Sequence, residues 1–265
     1  MEAVVSIPGA EPWSAVGRGR HGDDAVIVVH GFAGNPIGTR PLGQHLAAQG
    51  YSVEVPLLPG HGTSHHDLAR TRYADWYGAV DRLVDHLAGR CRRIAVIGHS
   101  MGGTIALDLA ARRAEDVAAV VVINPSVRVP PGLLPQLSGV LQYLVPFVPR
   151  QLAGMPANDI ARDGVEEGSY ALVPARAARS LLVELDRIRA GLLDVTAPLL
   201  VVRSLEDHTV APRNAREVLE LTGSRDLREL VCHNSYHVPQ LDVDGPLVAA
   251  TISTFLDEVL EPDLP

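Results

Sequence analysis

Apolar residues fall in short, nearly unbroken runs along this chain: "AVIVVH" (25–30), "YSVEVPLL" (51–58), "RIAVIG" (93–98), "VAAVVVIN" (117–124), "PLLVVRS" (198–204) and "LRELVCH" (227–233). They are rich in β-branched residues and mostly do not alternate with polar ones, which is the pattern of strands covered on both faces. Between them the period changes to that of a helix. Pro41–Gln49 sets Leu42, His45 and Leu46 on one face, and Tyr73–Ala88, Thr104–Arg113, Arg213–Leu221 and Pro246–Leu260 follow the same rule. Alternating strands and helices predict an α/β fold with a mostly parallel sheet and helices on both faces. The rhythm breaks once. From Ser126 to about Leu193 the pattern predicts no strand, only a proline-rich stretch and then the helical "PARAARSLLVELDRIRAGLL". The expectation is one domain over 1–265 with an insertion at 126–193.

Composition narrows the chemistry. The chain has 265 residues, 46% of them hydrophobic, so it can bury a large core. A net charge of −8 with no basic run argues against a nucleic-acid partner. All 23 basic residues are arginine, so neither a Schiff-base lysine nor a P-loop lysine exists here. Cys91 and Cys232 form no CxxC pair. The opening "MEAVVSIPGAEPW" lacks the basic and apolar regions of a leader, so the expected location is the cytoplasm. Val129–Pro149 carries no charge and is long enough to cross a bilayer, but prolines 130, 131, 135, 146 and 149 would break a helix there. A stable membrane insertion is not expected.

The most informative stretch is "IAVIGHSMGGTIAL" (94–107), which surrounds a serine with glycines where a strand meets a helix. Gly98-His99-Ser100-Met101-Gly102 has the G-x-S-x-G form in the strand–turn–helix context of a nucleophile elbow. In so sharp a turn, side chains two residues either side of the serine would collide with the neighbouring strand and helix. A serine hydroxyl also needs a base, and the base an orienting acid. After an elbow of this kind they follow in the order acid, then histidine, each beyond a later strand. The run ending at Ser204 leads into "LEDHTV", offering Asp207, with Glu206 as its rival. The run ending at His233 leads into "NSYHVPQLD", offering His237. His208 is too close to the acid to receive its hydrogen bond easily, and His233 belongs to the strand end. An oxyanion hole requires two backbone N–H groups. Met101, after the serine, supplies one, and Phe32 in "VVHGFAG" (28–34) supplies the other, its ring walling an acyl pocket.

"HGTSHHD" (61–67) concentrates three histidines and an aspartate, but its spacing matches no defensible metal-ligand pattern. No metal site is predicted.

"VVHGFAGNP", "RPLGQHLAAQGYSVEVPLLPGHGT", "GHSMGGT" and "NSYHVPQLD" together resemble the bacterial monoacylglycerol lipases and related small carboxylesterases of the α/β-hydrolase superfamily, over nearly the whole chain. The resemblance implies the α/β-hydrolase fold, no cofactor, and a cap inserted after the sixth strand of the fold, where Ser126–Leu193 lies. It also implies a small-molecule ester as substrate and a glycerol-facing role for "DGVEEGSYALVP", in which Glu167 is the candidate acceptor. A thioesterase, an acyltransferase and a perhydrolase share the same three residues and stay open at this stage. So does a catalytically dead ligand-binding protein of this fold, although Ser100 and His237 are both present. The physiological ester and the oligomeric state are not legible.

Overall fold

A computed structural model describes residues 6–130, 139–140 and 142–260. Seven strands form one sheet: β1 (Trp13–Ala15), β2 (Asp24–Val29), β3 (Ser52–Val55), β4 (Arg93–His99), β5 (Val117–Ile123), β8 (Leu199–Ser204) and β9 (Leu227–Cys232). Their order across it is β1-β3-β2-β4-β5-β8-β9. Every pair is parallel except β1 with β3. All six residues of β2 are buried, as its continuous apolar run predicts. The first strand was not visible in the pattern. It is three residues long and half-exposed, too short for a period to register.

Helices cover both faces. On one side, α3 (Tyr73–Ala88) and α4 (Met101–Arg112) bury Tyr73, Trp76, Val80, Val84, Ile105 and Leu109 against β2, β4 and β5. On the other, α1 (Arg40–Ala48) and α7 (Gly245–Val259) pack Leu42, Leu46, Ile252 and Phe255 on the opposite residues of the same strands. The short α2 (His65–Leu68) and α6 (Arg213–Leu221) complete the set outside the insertion.

The insertion departs from expectation. Among the described residues of 126–193 are two strands, β6 (Phe147–Pro149) and β7 (Leu172–Pro174), paired antiparallel. Each is three residues long and ends in proline, so neither displays a strand period. The helix α5 (Ala175–Ala190) follows directly and presses Ala177, Leu181, Leu185 and Ile188 into the core that α3 and α4 share. Among the described residues, the strand before the insertion is the fifth of the chain, not the sixth. Of the uncharged stretch Val129–Pro149, Leu133, Leu134, Leu137 and Leu141 lie outside the described residues. Among the described residues, no helix is long and apolar enough to cross a membrane.

Candidate active site

The parallel strands aim their C-terminal ends at one edge of the sheet, and the loops there carry the predicted residues. Ser100 joins β4 to α4, Phe32 follows β2, Asp207 follows β8 and His237 follows β9. In open α/β sheets this edge is where ligands bind.

The glycines around Ser100 have a steric cause. A Cβ on Gly98 would lie 2.1 Å from the Gly102 carbonyl oxygen, and one on Gly102 would lie 2.3 Å from that of Val29. Contacts this short force the strand–turn–helix to pack backbone on backbone. The turn leaves Ser100 at φ 54°, ψ −117°, a strained conformation for a residue with a side chain. Ser100 is the N-cap of α4, so the Met101 N–H is one of the donors that a helix start leaves without an intrahelical partner. Gly31 closes on the serine from β2: a Cβ there would stand 3.2 Å from the Ser100 Cβ. The Phe32 loop is held in turn by the Gly34 N–H donating to the Gly31 carbonyl, 3.2 Å, and the Tyr170 N–H donating to Ala33, 3.0 Å. The Phe32 ring packs edge-on against Trp76, with centroids 5.5 Å apart.

Asp207 and His237 meet. His237 Nδ1 donates to Asp207 Oδ2 at 2.8 Å, and both side chains are buried. The other carboxylate oxygen accepts the N–H groups of Thr209, 2.8 Å, and Val210, 2.7 Å. Burial alone would raise the Asp207 pKa, but the His237 charge and hydrogen bond and these two N–H groups pull it below the usual carboxylate value. Burial alone would lower that of His237. The Asp207 charge and hydrogen bond, with Glu167 and Asp159 further off, raise it above the usual histidine value. The serine's chain neighbour completes the approach. His99 Nε2 donates to the His237 carbonyl at 2.8 Å, and the two rings lie 4.7 Å apart. Glu206 is exposed, and His233 is exposed beyond the end of β9. Neither joins this group.

Glu167 and Glu166 part company. Glu166 is exposed, whereas Glu167 is buried beside the Phe32 loop. Glu167 Oε1 pairs with Arg150 Nη2 at 3.1 Å, and the Asn35 side chain donates to the backbone carbonyls of Glu167 and Gly168. Its Oε2 lies 3.8 and 3.9 Å from where Cβ atoms on Gly34 and Gly38 would be. Arg150 is itself 2% exposed, and among the described residues its Nη1 has no hydrogen-bond partner.

Several contributors escaped the sequence reading. Asn124, at φ 44° after β5, donates to the His237 carbonyl at 2.9 Å and accepts from the Ser204 N–H at 2.9 Å. A polar residue closing the apolar run "VVVIN" was the only trace of it. Gln240, three residues after His237, donates to the Gly38 carbonyl at 3.1 Å. Arg150 left no signal, since an arginine after a proline-rich segment reads as solvated.

The histidines of the 61–67 loop contact neighbouring rings. His61 is buried, with Nδ1 donating to Pro59 and its ring edge-on to His30 and Trp76. The His65 and His66 rings lie tilted with centroids 4.3 Å apart, and both meet Phe147 edge-on. Among the described residues, the one carboxylate–imidazole group near enough to share an ion is Asp159, Asp207 and His237. Its members already bond to one another or to the acid loop.

This is an α/β-hydrolase fold with a strained serine and a carboxylate-bound histidine at one sheet edge. The serine aminopeptidase S33 family matches residues 20–244, and the chain belongs to it. Within the superfamily it sits on the branch of bacterial monoacylglycerol lipases and small carboxylesterases, and it is a hydrolase. It is 35% identical to a thermostable monoacylglycerol lipase of Bacillus sp. (strain H-257), over 91% of this chain and 92% of that one. A solved structure from work on LipS and LipT, two metagenome-derived lipolytic enzymes, superposes with a TM-score of 0.87 at 30% identity, over 95% of this chain and 99% of that one. A monoacylglycerol lipase of Paleococcus ferrophilus shares the fold, with a TM-score of 0.78 at 19% identity, over 94% of this chain and 99% of that one.

Proposed function

We propose that this hydrolase cleaves carboxylic esters, monoacylglycerols foremost, through an acyl-enzyme on Ser100. The observation that carries the reading is the buried Asp207–His237 hydrogen bond, 2.8 Å long, with the His237 carbonyl bonded to His99, the chain neighbour of the strained Ser100. The Ser100 hydroxyl attacks the ester carbonyl while His237 Nε2 takes its proton. Asp207 keeps the His237 Nδ1–H pointed away from the serine and stabilises the imidazolium. The Phe32 and Met101 N–H groups receive the oxyanion. The carbonyl–oxygen bond breaks, His237 returns its proton to the leaving alcohol, and water repeats the cycle to release the acid.

Substrate choice rests on the insertion at 126–193, which we read as a cap. Its described exposed residues Val140, Tyr143, Leu144 and Val145 offer an apolar surface for an acyl chain. Each buried methylene would add about 0.8 kcal/mol at most. The alcohol portion of a monoacylglycerol carries two free hydroxyls, which need acceptors once water is excluded. Glu167 supplies one, with Oε1 held by Arg150 and Oε2 turned to the Phe32 loop. A cytoplasmic setting agrees with Cys91 and Cys232 both being free thiols.

The test compares two substrate classes. Apparent affinity should rise with acyl length until the channel fills, and medium-chain monoacylglycerols should be preferred to triacylglycerols. Compared above the acid limb, Glu167→Ala should lower kcat/KM for monoacylglycerols by about tenfold more than for p-nitrophenyl esters, the scale of one lost hydrogen bond to a charged group. Equal loss on both substrates removes Glu167 from the site, and a preference for triolein refutes the pocket.

A further inference from the structure

We infer that Asp159 is a positioning residue for the Asp207–His237 pair, clasping the loop that carries the acid and tying it to the loop that carries the histidine. This inference rests on the catalytic roles just proposed for Asp207 and His237.

Asp159 belongs to the insertion, between β6 and β7, yet its carboxylate is only 2% exposed and faces the sheet edge. It accepts three hydrogen bonds from the residues just after Asp207. They come from the His208 N–H at 3.2 Å, His208 Nδ1 at 2.7 Å and the Thr209 hydroxyl at 2.8 Å. The Thr209 N–H bonds Asp207 Oδ1 at 2.8 Å, so one residue links the two carboxylates. A buried carboxylate with three donors converging on it is anchored, and it anchors the donors.

The same segment is held from the other loop. Asp242, 1% exposed, accepts the N–H groups of Ala161, 2.7 Å, and Arg162, 2.9 Å. It also accepts the Tyr236 N–H at 3.0 Å, next to His237. The Tyr236 ring meets His208 edge-on, with centroids 4.6 Å apart. Residues 159–162 are therefore fastened at one end to the acid loop and at the other to the histidine loop. Ordering this stretch of the insertion fixes the spacing of the pair.

Asp159 also has an electrostatic consequence. Ligating atoms of Asp159, Asp207 and His237 lie within 4.8 Å of one another. The charged or titratable groups facing His237 are Asp207 after β8, Glu167 and Asp159 from the insertion, and His99 from β4. Asp159 in turn faces His208 and Asp207. A second negative charge near His237 favours the imidazolium formed during attack.

Asp159→Asn keeps the shape and one acceptor but removes the charge, and Asp159→Ala removes the clasp. Both would be assayed for kcat and KM with a short p-nitrophenyl ester across pH, with thermal unfolding alongside. For Asp159→Asn the acid limb of kcat/KM should move to lower pH by about half a unit or more, because His237 then loses its proton more easily. For Asp159→Ala, kcat should fall by at least about tenfold with KM nearly constant, the mark of a misplaced catalytic group. An unmoved acid limb in Asp159→Asn overturns the inference, even if Asp159→Ala unfolds, because a packing residue would lower Tm without touching the pH profile. Ser100→Ala and His237→Ala in the same assay keep the two failures apart. If they are inactive and the limb is unmoved, only the Asp159 inference falls; if they are active, the catalytic reading beneath it falls.

Discussion

Replacing Asp207 by Asn tests the proposed proton path more sharply than deleting it would. The carboxylate has two tasks on two oxygens: Oδ1 receives the Thr209 and Val210 N–H groups, and Oδ2 receives His237 Nδ1. An amide has one acceptor. The two backbone donors are fixed by the loop and claim the amide oxygen, which leaves the NH₂ facing His237. A donor there turns Nδ1 into an acceptor and moves the ring proton to Nε2, the nitrogen that must accept the Ser100 proton. The ring stays in place with the wrong tautomer, for which a loss of roughly 10⁴ in kcat is expected. That corresponds to about 5.5 kcal/mol of transition-state stabilisation. Glu206→Gln, on an exposed neighbour, is the control and should keep most of the activity. The assay is kcat on a soluble p-nitrophenyl ester, with KM and Tm measured on the same samples. Asp207→Asn within tenfold of the wild type, or Glu206→Gln as the more damaging change, would refute the argument.

Two further predictions concern folding. Gly102→Ala would press a methyl group against the Val29 and His30 carbonyls, at 2.3 and 2.8 Å, so it should cost about 3 kcal/mol or more and lower turnover at least about 100-fold; a wild-type Tm and rate would contradict it. Burial pushes His30 and His99 down to about 4 and His61 well below the usual value, so these rings are neutral when folded and protonated when unfolded in acid. Because their folded pKa values lie below the unfolded ones, their stabilising effect is complete above about pH 6.5 and is lost as pH falls toward 4. Each ring with a pKa near 4 should remove about 2 kcal/mol between pH 7 and 5, and the raised pKa of His237 opposes this in part. Urea unfolding at the two pH values measures the difference, and equal or greater stability at pH 5 would contradict the prediction.

The sheet was legible because each buried strand writes a run of β-branched residues, and α3 and α6 begin and end where their periods do. Strands β1, β6 and β7 were not, since three residues cannot display a period. Ser100, Asp207 and His237 stood out because each follows a recognisable strand. Asp159 and Asn124 did not, because their partners are far away in the chain, and Arg150 did not, because lone polar residues in loops normally face water. Glu167 was legible only through resemblance. Its pairing with Arg150 had no trace in the sequence.

The central claim is that Ser100 is the nucleophile, and covalent labelling by a fluorophosphonate tests it most directly. Intact-mass and peptide analysis should find one adduct, on Ser100, formed in step with the loss of ester hydrolysis. Ser100→Ala should fold with an unchanged cooperative transition, take no label, and lose several powers of ten in turnover, on the order of removing a residue of any such triad. Labelling that persists in Ser100→Ala, or hydrolysis surviving near the wild-type rate, would contradict the account.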